Sequence, residues 1–315
     1  MPITNFPNGI SSFGVPVVGS GSIPTTTGNY WFVNSATTNP ADGTSPSTAY
    51  PTVAQAVSSA TAGTGDVIVM MPGHAETITS STSFGSISKS GLTLVGLGSG
   101  ALRPTFTLGT AATATINITA ANVAFKNCLF VANYADIAAC FTLTTAKNFT
   151  IDTCEVRDTS SVLNFLSIAK TSTTDAAADG LSLLNARQIS SGTTANTAML
   201  DLRANLDRLT IQNNFVMQSV AGNSGCIYQA TTTKVLTNAL IDNNALNFTG
   251  ANAATGAMLI TTATTHTGIV SNNYVWGARA VASAVLVTAS SGFKFFNNYY
   301  QTVADKSGIL LPVNV

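Results

Sequence analysis

Apolar residues recur at alternate positions in short runs along this chain, and each run ends on a small polar residue. In "LTIQNN", 209–214, an extended backbone sends Leu209 and Ile211 to one face and Thr210 and Gln212 to the other. The pattern returns as "VAFKNC" at 123–128, "FTIDTC" at 149–154, "LSLLNA" at 181–186, "ALIDNN" at 239–244, "GIVSNN" at 268–273 and "FKFFNN" at 293–298. "LTLVGL" at 92–97 fits with Gly in place of Asn. The last residues fall at 97, 128, 154, 186, 214, 244, 273 and 298, so the unit recurs every 25 to 32 residues. A period of that size marks a solenoid.

Each unit carries a second β-like run: "ATINIT" at 114–119, "ACFTLT" at 139–144, "NFLSIA" at 164–169, "AMLDLR" at 198–203, "CIYQAT" at 226–231, "AMLITT" at 257–262 and "AVLVTA" at 284–289. Two or three short strands per repeat, rich in Thr, Val, Ile and Phe and without a helical stretch, predict one coil of a parallel β-helix. About eight coils at the strand spacing make a rod roughly 40 Å long. The paired Asn residues are expected at the bend of each coil, because Asn tolerates left-handed backbone angles. Stacked amides at Asn214, Asn244, Asn273 and Asn298 are expected to form a structural ladder. Cys128 and Cys154 share that column on adjacent coils, where parallel side chains leave thiols unbonded.

The front of the chain reads differently. "YWFVNSATTNPADGTSPSTAYPTVAQAVSSATAGTGDVIVMMPGHAETI" predicts a strand, a turn-rich loop, a short helix near 52–61 and another strand. Thr52 and Gln55 match a capping box, Val53, Ala56, Val57 and Ala60 share a helical face, and Gly63 can end the helix. This helix is expected to cover the open first coil. Residues 1–29 are rich in Gly, Pro and Ser, with Ile3, Phe6, Ile10, Phe13, Val15 and Val17 spaced as anchors along an extended arm. The expected organisation is therefore an arm over 1–29 and a β-helix domain over 30–315.

The order "WFVNS…DGTSPSTAYPTVAQAV…GDVIVMMPG" resembles the entry to right-handed parallel β-helix proteins of the pectin-lyase-like superfamily, from about Tyr30 onward. That resemblance implies an all-β fold, a single-stranded right-handed parallel β-helix with a short N-terminal capping helix. The opening "MPITNFPNGISSFGVP" resembles the starts of some tailed-phage virion proteins with the same body.

Composition narrows the chemistry. Charged residues are 8% of the chain, against about 25% in an average protein. Thirteen basic and thirteen acidic residues are scattered singly, so neither a nucleic-acid stripe nor an anionic-membrane patch is expected. No run of about 18 apolar residues occurs, and Pro and Gly interrupt the start where a secretory leader needs an apolar stretch. Cys128, Cys140, Cys154 and Cys226 lack CxxC spacing, which argues for buried thiols rather than zinc.

Polysaccharide-cleaving members of the resembled superfamily cluster carboxylates around Ca²⁺ with a basic residue, or set two carboxylates roughly 5–9.5 Å apart. The motifs Asn-Thr-Asp, Asp-Asp, Gly-His-Gly and Arg-Ile-Lys do not occur. "GHA" is the nearest approach. His74 is expected in a turn and His266 in an exposed loop. By register Asp152 and Asp242 lie three coils apart, about 15 Å. Asp201 and Asp207 fall near Arg203 and Arg208 as ion pairs, and Glu155 and Arg187 are expected to bridge adjacent coils. No catalytic residue, metal ligand or cofactor site is expected.

The resulting expectation is a non-enzymatic virion protein: a capsid decoration or cement protein on the head surface, bound to the major capsid protein through the arm and acting as a homotrimer. The alternative is a tailspike-like or glycan-binding virion protein, for which Tyr274, Trp276, Tyr299 and Tyr300 would supply aromatics. A cell-surface adhesin ranks last.

Overall fold

A computed structural model describes residues 11–12, 15–16, 23–38, 41–84, 86–191, 198–218, 227–229, 234–248, 258–259, 265–277, 292–301 and 309–310. The alternating runs wind into a right-handed parallel β-helix with three long sheets, and Leu206–Asp207 pairs with Leu236–Thr237 as a further short parallel sheet. The first sheet stacks ten strands: Tyr30–Val33, Val67–Met70, Thr93–Gly96, Ala124–Lys126, Thr150–Asp152, Ser182–Leu184, Thr210–Gln212, Ala239–Asp242, Gly268–Ser271 and Phe293–Phe296. The second holds Ala75–Ile78, Thr105–Gly109, Leu129–Asn133, Glu155–Asp158, Arg187–Ser190, Phe215–Gln218, Ala245–Phe248, Tyr274–Gly277 and Asn298–Gln301, with Ile309–Leu310 added antiparallel at its end. The third holds Ile116–Ile118, Phe141–Leu143, Ser167–Thr171, Ala198–Leu202, Ile227–Gln229 and Met258–Leu259. Among the described residues six coils contribute to all three sheets. Nine strand spacings in the first sheet span about 43 Å, slightly longer than the sequence pattern predicts, because Tyr30–Val33 and Val67–Met70 add coils without the polar column.

Alternation decides what is buried. Leu209 and Ile211 are fully buried while Thr210 and Gln212 are partly exposed. The stacked inward positions of the first sheet run Ile68, Leu94, Phe125, Ile151, Leu183, Ile211, Ile241 and Val270, all buried. Near the N-terminal end Phe84, Phe106, Phe125, Phe130, Phe141 and Phe149 fill the interior, with ring centroids 4.9 to 6.2 Å apart. Several of these pairs are edge-to-face, the arrangement aromatic quadrupoles favour.

The helix α1 spans Val53–Ser59 and buries Val53, Ala56 and Val57. Half of the expected capping box forms: Thr52 Oγ1 accepts from the Gln55 amide at 3.5 Å, but the Thr52 hydroxyl donates to Gln55 Oε1. Glu76 supplies another cap, its Oε1 accepting from the Val53 amide at 2.5 Å. The helix stops at Ala60, whose backbone turns extended (φ −65°, ψ 149°), and not at Gly63, whose φ of +79° serves the following turn.

Asp66 joins the parts of this end. Its two oxygens accept from the Asn29 amide at 2.9 Å, the Trp31 indole at 2.9 Å, the Thr61 amide at 3.0 Å and the Thr64 hydroxyl at 2.6 Å. Burial opposes its charge, yet these four donors together hold the carboxyl below the usual range. Residues 23–29 are also seated on the body. Ile23 packs against Val67, Val69 and Val95 on the outer face of the first sheet, and the Thr26 hydroxyl donates to the Gly65 carbonyl.

Leu97 departs from the expected column. The register that pairs Val95 with Lys126 would set Leu97 beside Cys128, but residues 98–103 are inserted and Pro104 precedes the next strand instead. Leu97 packs outside, against the Val67, Val69 and Val95 cluster.

Candidate functional site

The bend between the first and second sheets is built from the paired Asn residues, and the two members differ. Asn213, Asn243, Asn272 and Asn297 have φ between +47° and +59°, as do Asn127, Thr153 and Asn185 at the same position of earlier coils. The left-handed turn places the next side chain inside: Cys128, Cys154, Ala186, Asn214, Asn244, Asn273 and Asn298 are all buried. Asn214 Nδ2 donates to Asn244 Oδ1, Asn244 Nδ2 to Asn273 Oδ1, and Asn273 Nδ2 to Asn298 Oδ1, each at 2.9 Å. Every amide oxygen also accepts the backbone N–H of the preceding coil, and every Nδ2 donates to a carbonyl of that coil. Both ends of each inner amide are engaged, so the column offers a ligand nothing.

The outer members form looser bonds. Asn243 donates to Asn213 at 2.8 Å and Asn213 to Asn185 at 3.3 Å, while Asn185 and Asn272 turn to Asp152 and Asp242. The thiols of Cys128 and Cys154 are free and donate to the Lys126 and Asp152 carbonyls at 3.4 Å. Burial pushes the Cys128 and Cys140 thiols well above their ordinary range. Cys226 lies outside the described residues.

The carboxylates are spread and occupied. Asp152 and Asp242 are separated by Leu184 and Gln212 in the stack, three strand steps. Ser271 donates to Asp242 at 2.7 Å, with Asn272 and Gln212 adding bonds, and together they outweigh burial and lower its pKa. Arg203 pairs with Asp201 at 2.9 Å and Arg208 with Asp207 at 3.4 Å. Glu155 and Arg187 are register neighbours, but the expected ion pair between them does not form. Glu155 reaches back to Arg103 at 3.3 Å, and Arg187 lies over the Phe215 ring, 5.4 Å from its centroid. The insertion that displaced Leu97 is what brings Arg103 within reach.

Both histidines are buried: His74 closes the turn from Met71, as expected, with its amide donating to the Met71 carbonyl at 3.1 Å, whereas His266 is inside and not on an exposed loop. His74 is fully buried; its Nδ1 accepts from the Ser35 amide at 2.9 Å, which leaves the proton on Nε2 to donate to Glu76 at 2.8 Å. It precedes the first strand of the second sheet and links the entry loop to the carboxylate that caps α1. His266 is buried, stacks on Phe293 at 5.4 Å and accepts the Leu236 amide through Nδ1 at 3.0 Å. No three His, Cys, Asp or Glu side chains among the described residues come together to hold a metal ion.

Large apolar side chains exposed on the sheets gather from Phe215 onward, while Leu102, Tyr134 and Val162 stand exposed in connections of the earlier coils. The outer face of the second sheet carries Phe215 and Met217, then Tyr274, Trp276 and Tyr299 on later coils. Tyr274 is 56% exposed, and its ring stacks on Tyr299 with centroids 5.2 Å apart and planes at 13°. Across the Asn bend, Ile269 and Phe296 stand exposed on the first sheet. The Tyr300 side chain lies outside the description. So do Ile3, Phe6, Ile10, Phe13 and Val17 of the arm, while Val15 belongs to the two-residue strand Val15–Pro16, antiparallel to Ser11–Ser12. Sequence reading named the tyrosines but missed Phe215, Met217, Ile269 and Phe296, whose outward parity follows from the same register.

No family model and no curated protein sequence matches the chain. Among solved structures it is similar to pectate lyase Pel9A, with a TM-score of 0.53 and 12% identity, over 90% of this chain and 79% of that one. A rhamnogalacturonan lyase aligns with a TM-score of 0.48 and 13% identity, over 89% and 75% of the two chains. At such identity the likeness to the pectate lyase establishes the β-helix fold and leaves activity to the residues themselves.

Proposed function

We propose that this chain is a non-catalytic structural protein of a tailed-phage particle, a decoration or cement protein that binds the major capsid protein at the head surface as a homotrimer. The observation that carries the reading is how the outer surface is used. The sheet-face carboxylates Asp152, Glu155 and Asp242 are held by neighbouring side chains, whereas the C-terminal coils expose Ile269, Tyr274, Phe296 and Tyr299 and, among the described residues, no carboxylate. Such a surface suits being covered by protein rather than acid–base chemistry on a sugar. The opening residues support the same reading through their likeness to virion proteins. In this reading the solenoid is a stiff body laid over capsomer junctions, and Ile3, Phe6, Ile10, Phe13, Val15 and Val17 anchor the arm as it orders on the shell.

The exposed aromatics favour a second reading, a glycan-binding virion protein of depolymerase ancestry. Sugar rings stack on open aromatic faces, however, and the stacking of Tyr274 on Tyr299 takes up one face of each. The deciding experiment strips the protein from its particles and measures rebinding to bare capsids, with and without residues 1–29. Binding by the full chain and loss on deletion is the expected result. Failure of the full chain to bind, together with cleavage of a host polysaccharide, overturns the proposal.

A further inference from the structure

Strand Val67–Met70 breaks the apolar and polar alternation, for all four of its residues are buried. Ile68 and Met70 join the interior of the helix, while Val67 and Val69 belong to a separate cluster on the outer face, with Val95 beside Val69 on the next strand. A parallel strand that is apolar on both sides needs a cover on both. Helix α1 supplies the inner one. Residues 23–29 supply the outer one, with Tyr30, Phe32 and Leu97 at its margins.

This outer cover is fastened along its length. Ile23 packs on the valines, and the Thr26 hydroxyl donates to the Gly65 carbonyl at 2.5 Å. Asn29 is held at both backbone ends, its amide donating to Asp66 Oδ1 and its carbonyl accepting the Val67 amide, each at 2.9 Å. The Tyr30 hydroxyl donates back to the Pro24 carbonyl at 3.0 Å and closes the segment on itself. Between these points the chain runs so near the body that a side chain has no room: a Cβ at Gly28 would lie 2.5 Å from Asp66 Oδ1 and 2.8 Å from the Thr64 carbonyl oxygen. The six anchor residues of the arm all precede this segment, the last being Val17, and no residue from 2 to 29 carries a charged side chain.

We propose that the arm has two parts with different partners: residues 23–29 are a strap that binds the chain's own first sheet and stays with the body, and the segment that engages the shell is 1–22. The strap is a second cap, on the outside of the solenoid where α1 caps the inside, and Asp66 is its latch. The assignment of 1–22 rests on the reading of the arm given above; the strap does not. Removing residues 1–29 therefore takes away a shell contact and a part of the body together, whereas removing 1–22 takes the shell contact alone.

Point variants in the full chain test both halves. Gly28→Ala forces a Cβ against Asp66, Ile23→Asp sets a charge over the valines, and Thr27→Ala, at an exposed position between them, is the control. Each is measured by amide hydrogen exchange, by melting temperature and by rebinding to bare capsids. Gly28→Ala and Ile23→Asp are expected to exchange faster over residues 61–70 and to melt several degrees lower, with exchange over 150–158 unchanged and capsid binding kept. Exchange and melting like the parent's in both variants overturn the strap. Folded variants that lose capsid binding when the parent binds make 23–29 a shell contact and overturn the division of the arm. A parent that does not bind capsids sinks the arm reading and the division with it, while exchange and melting still decide the strap. Should the point variants fail to fold, truncation decides: the chain lacking 1–22 is expected to melt with the parent and the chain lacking 1–29 well below it, and equal melting of the two truncations overturns the strap.

Discussion

Asn244 lies in the middle of the buried amide column and makes four side-chain hydrogen bonds: Nδ2 donates to the Ile211 carbonyl and Asn273 Oδ1, and Oδ1 accepts from the Asn214 amide and Asn214 Nδ2, all at 2.9 to 3.0 Å. Asn244→Leu keeps the volume and removes all four. The Asn214 N–H is then orphaned outright, at about 1–3 kcal/mol, and three further groups lose one bond each at roughly 0.5–1 kcal/mol. Leucine burial returns about 1–2 kcal/mol, for a net loss of about 2–4 kcal/mol. Asn244→Asp keeps the accepting oxygen but turns the second atom, aimed at the Ile211 carbonyl and Asn273 Oδ1, into a buried anion facing oxygen. Loss of about 3–5 kcal/mol or more is expected at neutral pH. That oxygen environment raises the new carboxyl's folded pKa, so its penalty is full above that pKa and shrinks as pH falls and a proton restores a donor. Chemical unfolding midpoints of the parent and both variants at several pH values measure this. At roughly 2 °C per kcal/mol for a chain of this length, melting temperatures move by several degrees. Both variants unfolding within about 1 kcal/mol of the parent, or an Asp penalty independent of pH, refutes the reasoning.

The outer Asn243 should behave oppositely. Asn243→Gly is expected to be near neutral and Asn243→Ala to cost about 1 kcal/mol, because φ of 52° and not the amide is what the position needs; equilibrium unfolding decides. At the bend before the first sheet, Arg208 holds φ of 56° where Asn148, Gly180 and Asn238 occupy other coils, so Arg208→Asn is expected to stabilise by about 0.5–1 kcal/mol in the same assay. Asp66→Ala strands four donors and is expected to cost about 3–5 kcal/mol. Since its folded pKa is depressed, the stability Asp66 supplies is present above the ordinary carboxylate pKa and fades as pH falls through the folded value, which an acid titration of melting temperature in parent and variant reads. Cys128, Cys140 and Cys154 are expected to resist alkylation until the chain unfolds, as peptide mass mapping after pulse labelling shows.

Much of the fold is legible because a β-helix repeats its physics. Parity alone places Ile211 inside and Gln212 outside, and the recurrence of Asn pairs marks the bends. The division of labour within each pair is not legible, since Asn213 and Asn214 are chemically identical until φ sends one side chain out and the other in. Glu155 shows the same limit. Register correctly brings it beside Arg187, but a long side chain chooses among all neighbours in space, and an insertion outside the repeat supplied Arg103. His266 sits between repeats, where no parity rule applies, and its burial follows from packing against Phe293 one coil later.

The architecture, the position of the bends, the inward residues of the strands and the scarcity of charged groups can be read from the chain alone. These follow from local alternation and from a period, which are properties of the chain. Tertiary structure alone decided which partner each polar group finds: Asp66 with its four donors, His74 between Ser35 and Glu76, and Tyr274 stacked on Tyr299. Stacking at the strand spacing brings residues about thirty positions apart into contact, and their choice among neighbours depends on distances and directions that no local pattern encodes.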